Sequence, residues 1–113
     1  MAVKQIIYIN KTKFTCGFVE NLCKEQNVSC YTLQDCNDFS YLIDDLKPEA
    51  VIIDGQTYQE SEDTFWNCSN AAEFKTCFIL LSNEKNEKFT TSMPLPINPV
   101  SFLQELTQKL ESI

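Results

Sequence analysis

Apolar side chains occur along this chain in short blocks whose internal spacing switches between a strand rhythm and a helix rhythm. QIIYIN at residues 5–10 is a β-branched and aromatic run closed by a polar residue, which predicts a buried strand. Between residues 12 and 26, Phe14, Phe18, Val19, Leu22 and Cys23 recur at the spacing of one helix face, with Gly17 tolerated inside it. VSCYTL at residues 28–33 alternates as a second strand, and Phe39, Leu42, Ile43 and Leu46 then mark a helix that must stop before Pro48. The order is β-α-β-α.

The block AVIIDG at residues 50–55 is apolar without alternation, as expected of a central strand covered on both faces, and it ends in an acid and a glycine. A polar loop is expected over residues 56–63, then a weaker helix carrying Phe65, Trp66, Ala72 and Phe74, then a fourth strand in TCFILLS at residues 76–82. NEKNEKFTT at residues 83–91 is charged and lacks helical apolar spacing, so it reads as a loop or at most one turn of helix. MPLPI at residues 93–97 predicts a short fifth strand, and its two prolines suit an edge. Asn98 can cap a last helix that opens with Pro99 and buries Val100, Phe102, Leu103, Leu106 and Leu110.

Five strands alternating with helices imply an α/β fold, a doubly wound five-stranded parallel sheet, because right-handed crossovers place helices on both faces. Residues 1–113 then form a single domain, in keeping with the usual size of about 100–150 residues. In such sheets ligands bind beyond the carboxyl ends of the strands, which puts Asn10, Lys11, Asp35, Asp54, Ser82 and Asn98 near one rim.

Charge and composition narrow the chemistry. The 9 basic residues are all lysines and face 16 acidic ones, a net charge of −7 that repels a phosphate backbone, so nucleic acid is not an expected partner. Without arginine there is no bidentate clamp, and without histidine there is neither the commonest general base nor the commonest metal ligand. No apolar run approaches the roughly 18 residues of a membrane span, and no long apolar stretch precedes Lys11, so a cytoplasmic protein with no signal peptide is expected. The six cysteines, Cys16, Cys23, Cys30, Cys36, Cys68 and Cys77, form no CxxC pair and are expected to stay reduced as small core residues rather than to bind zinc.

The order of elements, the strand-ending acid of AVIIDG, the strand-ending hydroxyl of FILLS and the PINPVSFLQELTQKL ending together resemble a response-regulator receiver domain, with its flavodoxin-like topology, over nearly the whole chain. In that family the acid ending the third strand accepts phosphate from a histidine kinase, a role the resemblance assigns to Asp54, and the hydroxyl ending the fourth strand would be Ser82. The acid pair that binds magnesium at the end of the first strand is here Asn10 and Lys11, and the lysine that contacts phosphate before a proline is here Asn98. The aromatic switch would fall at Leu95. The resemblance therefore implies a degenerate pseudo-receiver with its magnesium site lost and no cofactor, and the short 83–91 segment implies a fourth helix that is reduced or absent.

Phosphoryl transfer depends on positioning and on cations that stabilise charge, so Asp54 is expected either to accept hydrogen bonds from the following loop or to be phosphorylated inefficiently. Lys11 or Lys13 could pair with it and imitate an occupied site. Three readings follow: a binding module that is no enzyme and takes a protein partner, a working phosphorelay receiver phosphorylated on Asp54, and a small thiol or redox enzyme using Cys16 near the start of the first helix. Two placements are open for Phe89, Met93 and Leu95. They form a partner-binding face uncovered by the missing helix, or they fold back and plug the gap. Trp66 can serve as an interface anchor or as core.

Overall fold

The computed structural model describes residues 4–37, 39–71, 76–84, 86–89, 91–95 and 97–111. Five strands, β1 (Gln5–Ile9), β2 (Ser29–Leu33), β3 (Ala50–Asp54), β4 (Cys77–Leu81) and β5 (Thr91–Met93), form one sheet in the order β2-β1-β3-β4-β5. Every pairing is parallel, with Ile7 opposite Tyr31 and Val51, and Ile53 opposite Leu80. The helices are α1 (Lys13–Glu25), α2 (Phe39–Leu46), α3 (Gly55–Glu60), α4 (Glu62–Ala71) and α5 (Phe102–Glu111).

Strand alternation divides the interior in two. Ile6, Tyr8, Ala50, Ile52, Ile79 and Leu81 join Cys16, Val19 and Cys23 of α1 and Phe102 and Leu106 of α5 in one core. Ile7, Ile9, Val51, Ile53 and Leu80 pack on the other face with Ile43 of α2, Tyr58 of α3 and Phe65 of α4. β1 and β3 are buried on both sides almost from end to end, which is why their sequences are unbroken apolar runs. Cys30 and Cys77 are partly buried against the first core, as expected of small apolar residues.

Helix ends follow local chemistry. α1 stops where the Gln26 N–H donates to the Cys23 carbonyl and the Asn27 N–H to the Lys24 carbonyl, with Asn27 turning the chain through a left-handed conformation, φ 60°, that asparagine tolerates. α2 ends at Lys47, also left-handed at φ 49°, immediately before Pro48.

Three elements differ from their sequence expectation, the last helix because it begins at Phe102 rather than Pro99 and leaves Val100 exposed. The expected loop over residues 56–63 contains a full helix, α3, because the Asp54 carboxylate caps it by accepting from the Thr57 N–H. Its six residues are too few to show helical periodicity, and at Ser61 the chain bends into α4. Ala72 and Phe74 of the expected weaker helix lie outside the described residues.

The fifth strand occupies Thr91–Met93 rather than residues 93–97, since Pro94 has no N–H with which to extend a ladder. Past it the Asn83 side chain substitutes for backbone pairing, donating to the Leu95 carbonyl at 3.0 Å and accepting from the Leu95 N–H at 2.9 Å. Between β4 and β5 no helix occurs among the described residues, as the short 83–91 segment implied.

Phe89 fills the space this leaves. It is buried, with ring centroids 5.0 Å from Tyr58, 5.8 Å from Phe65 and 5.1 Å from Trp66. Met93 is buried in the opposite core. The idea of an interface built from Phe89, Met93 and Leu95 is corrected accordingly: the first two are interior plugs, because apolar side chains near an open sheet gain more by covering it than by facing water. Leu95 alone of the three is exposed. Trp66 is likewise partly buried among these rings, its indole N–H donating to the Tyr58 hydroxyl at 2.8 Å.

Candidate functional site

The carboxyl ends of β1, β3 and β4 open into a cleft of about 360 Å³. Its polar lining comes from Tyr8, Asn10, Thr12, Thr15, Asp54 and Gln56, and its apolar lining from Phe18, Leu81, Leu95 and Ile97. Asp54 is the single charged residue among them.

Asp54 is half-buried where β3 passes into α3. Its Oδ2 accepts from the Thr57 N–H at 3.3 Å and from the Thr57 hydroxyl at 3.4 Å. Thr57 is itself buried and accepts the backbone N–H of Lys11 at 3.0 Å, so the acid, the first turn of α3 and the loop after β1 are tied together. The expected pairing of Lys11 or Lys13 with Asp54 does not form. The Lys11 ammonium donates to Glu60 at 2.8 Å, one turn further along α3, and Lys13 is exposed at the start of α1.

Asn10 is buried, and its polar groups are used inside the fold. The side-chain amide donates to the Tyr8 hydroxyl at 3.0 Å, and the amide oxygen accepts the Thr12 N–H at 2.8 Å. The backbone N–H reaches the Leu33 carbonyl at 2.9 Å, and the backbone carbonyl accepts the Cys16 thiol at 3.2 Å. Burial pushes the Tyr8 hydroxyl up to about 12, against the hydrogen bond from Asn10, and the negative charge of Asp54 adds to the rise. Tyr8 is therefore a neutral hydroxyl at physiological pH.

Ser82 follows β4 directly and lies beside the residue after Asp54, since a Cβ added at Gly55 would stand 3.2 Å from its Cβ. Its hydroxyl oxygen accepts the Glu84 N–H at 3.0 Å. Asn98 is exposed and spends its side chain on the Val100 N–H at 3.0 Å, capping the turn that precedes α5 instead of lining the cleft. Asp35 is exposed and accepts the Asn37 N–H at 2.9 Å within the loop after β2. Of the rim residues named from sequence, the fold thus brings Asn10 and Asp54 together in the cleft, sets Ser82 beside Gly55, and leaves the Lys11, Asn98 and Asp35 side chains engaged elsewhere.

The donor set does not fit a magnesium ion. That cation demands near-octahedral hard oxygens and usually one or two carboxylates, whereas Asp54 stands alone and the Asn10 oxygen already accepts a backbone N–H. Nor does Cys16 suit a nucleophile, because burial raises its thiol above the usual range, with Glu20 adding to the rise and the Asn10 carbonyl contact opposing it.

Sequence reasoning missed Tyr8, Thr57 and Glu60. Tyr8 had a usable signal, a polar-tipped aromatic two residues before Asn10 and hence on the same strand face. Thr57 and Glu60 had none until residues 55–60 were known to be helical.

No protein-family model matches the sequence, and no curated protein matches it. Solved structures do. A CheY-like response regulator receiver domain from Methylobacillus flagellatus superposes with a TM-score of 0.74 at 14% identity, over 96% of this chain and 99% of that one. The fold is that of a receiver domain. A two-component response regulator from Clostridium difficile gives a TM-score of 0.74 at 11% identity, over 96% of both chains. A response regulator from Thermotoga maritima gives 0.71 at 14% identity, over 96% and 98%. The receiver fold accounts for the sheet order and for the cleft lying at the ends of β1, β3 and β4.

Proposed function

We propose that this domain is a receiver-type signalling module that acts by binding a protein partner and has lost phosphoacceptor chemistry and its magnesium site. The observation that carries this reading is the use made of the residues around Asp54: Asn10 is committed to Tyr8 and Thr12, and the Lys11 cation to Glu60. A phosphoryl group arriving at Asp54 would meet no cation from the residues lining the cleft, and charge stabilisation is most of what a protein contributes to that reaction. A binding role is supported by the surface beside the cleft. Phe14 is 84% exposed and Phe18 follows it by one helical turn, with Leu95 also exposed. The net charge of −7 favours a partner other than nucleic acid. No helix among the described residues is long and apolar enough to cross a membrane, and the free thiols Cys16, Cys23, Cys30 and Cys77 suit a reducing, cytoplasmic setting.

The test is treatment with a small phosphodonor and magnesium followed by intact mass spectrometry, with no adduct expected. A stoichiometric adduct that disappears in Asp54→Asn would overturn the reading. It would promote the phosphorelay reading, whose support is the half-buried Asp54 with Ser82 beside the residue that follows it.

A further inference from the structure

The cleft beside Asp54 has a composition that selects a ligand. Its one formal charge is negative, and the lysine nearest in sequence to its Asn10 wall is held away by Glu60 at 2.8 Å. Tyr8 stays neutral, so it neither cancels that charge nor adds to it. An anion would be repelled by Asp54, and a divalent metal would find too few hard oxygens. A monovalent organic cation meets neither objection.

The hydrogen bonds narrow the choice of cation. Both bonds that the described residues give Asp54 come from Thr57 and go to Oδ2. A guanidinium binds best as a fork across both carboxylate oxygens, whereas an ammonium is satisfied by a single oxygen together with neighbouring hydroxyl or amide groups. Such groups lie along the same lining, in Tyr8, Thr12 and Gln56. The lining also includes the apolar side chains Phe18, Leu95 and Ile97, available to cover a hydrocarbon stem. The volume, about 360 Å³, is near the small end of ligand pockets, which run from roughly 300 to 1,000 Å³.

We propose that this cleft binds a primary ammonium carried on a short apolar stem, the stem lying against Phe18, Leu95 and Ile97 and the ammonium meeting Asp54. The inference rests on the reading that Asp54 is no longer a phosphoacceptor. Free amines and the lysine side chain of a protein share this chemistry, and two probes separate them.

The experiment titrates the ¹⁵N-labelled full chain at neutral pH with n-butylammonium, with n-butanol as its uncharged match, and with Nα-acetyl-lysine methylamide, following amide shifts by NMR. Saturable shifts at Thr12, Gln56, Thr57 and Leu95 are expected for the ammonium probes, at least about tenfold weaker with butanol and in Asp54→Asn. Asparagine is as good a helix cap as aspartate, so this variant keeps α3. If it nevertheless fails to fold, the comparison with butanol on the unaltered chain decides. Binding of butylammonium without the capped lysine assigns the site to a small amine, and binding of both assigns it to a lysine side chain. Absence of saturation, or equal binding of butanol, overturns the inference. The same preparation is treated with the phosphodonor: an adduct at Asp54 sinks the functional reading, whereas no adduct and no ammonium binding sinks this inference alone.

Discussion

The amide of Asn10, the residue that follows β1, donates to the hydroxyl of Tyr8 at 3.0 Å, joining two residues that line the cleft. Because Asn10 is buried, removing that acceptor strands a donor away from water. Tyr8→Phe is expected to cost about 1–3 kcal/mol, measured by urea denaturation near neutral pH.

The same pair sets a pH dependence. Tyr8 ionises at about 12 in the fold against 10.0 for an ordinary tyrosine, so the folded state holds this proton more tightly than the unfolded one. The resulting stability is complete below pH 10 and is lost as pH rises from 10 to about 12. Ultraviolet titration should show a tyrosine step near pH 12 that vanishes in Tyr8→Phe. An identical titration curve for the folded variant would contradict this.

Phe89 fills a gap on the sheet where no helix occurs among the described residues between β4 and β5. Its ring touches Tyr58, Phe65 and Trp66, and truncation would leave a cavity among them. Phe89→Ala is expected to destabilise by about 3 kcal/mol, with tryptophan fluorescence shifting as Trp66 becomes wetter. Phe14→Ser, on the exposed face of α1, should change stability by less than about 0.5 kcal/mol while weakening capture of a partner.

Gly55 and Ser82 are close enough to be coupled. A methyl group at position 55 would approach the Ser82 Cβ to 3.2 Å, so Ser82 must give way by a few tenths of an ångström. Gly55→Ala also gains helix propensity, about 1 kcal/mol, so its net effect alone is uninformative. A double-mutant cycle removes that offset. Gly55→Ala should be more favourable by at least about 0.5 kcal/mol in a Ser82→Gly background, and strict additivity would show that the two sites do not press on each other.

Lys47 closes α2 in the left-handed region at φ 49°. Lys47→Gly should hold or raise stability by up to about 1 kcal/mol, since glycine adopts this conformation without strain. Lys47→Ile should lower it by more than about 1 kcal/mol, because β-branched residues are disfavoured there. Thermal melts of the two variants would check both signs.

The sequence by itself determined the sheet, because buried strands must be apolar where both faces are covered and helices must repeat every three or four residues. QIIYI, AVIID and CFILL, with Val19 and Cys23 or Phe102 and Leu106 one stripe apart, leave few other arrangements. It also made the strand ends legible, and parallel strands bring their carboxyl ends together, as Asn10 and Asp54 in one cleft illustrate. Only the tertiary structure decided what those residues touch. Nothing in the sequence pairs Lys11 with a particular acid, and its choice of Glu60, 49 positions away, depends on an α3 too short to announce itself. The placement of Phe89 was equally illegible, because a lone aromatic in a charged segment suits a surface or a gap, and whether a gap exists depends on how the other elements pack. Periodicity reports which face of an element is buried; it carries no information about which side chain from elsewhere in the chain arrives to meet it.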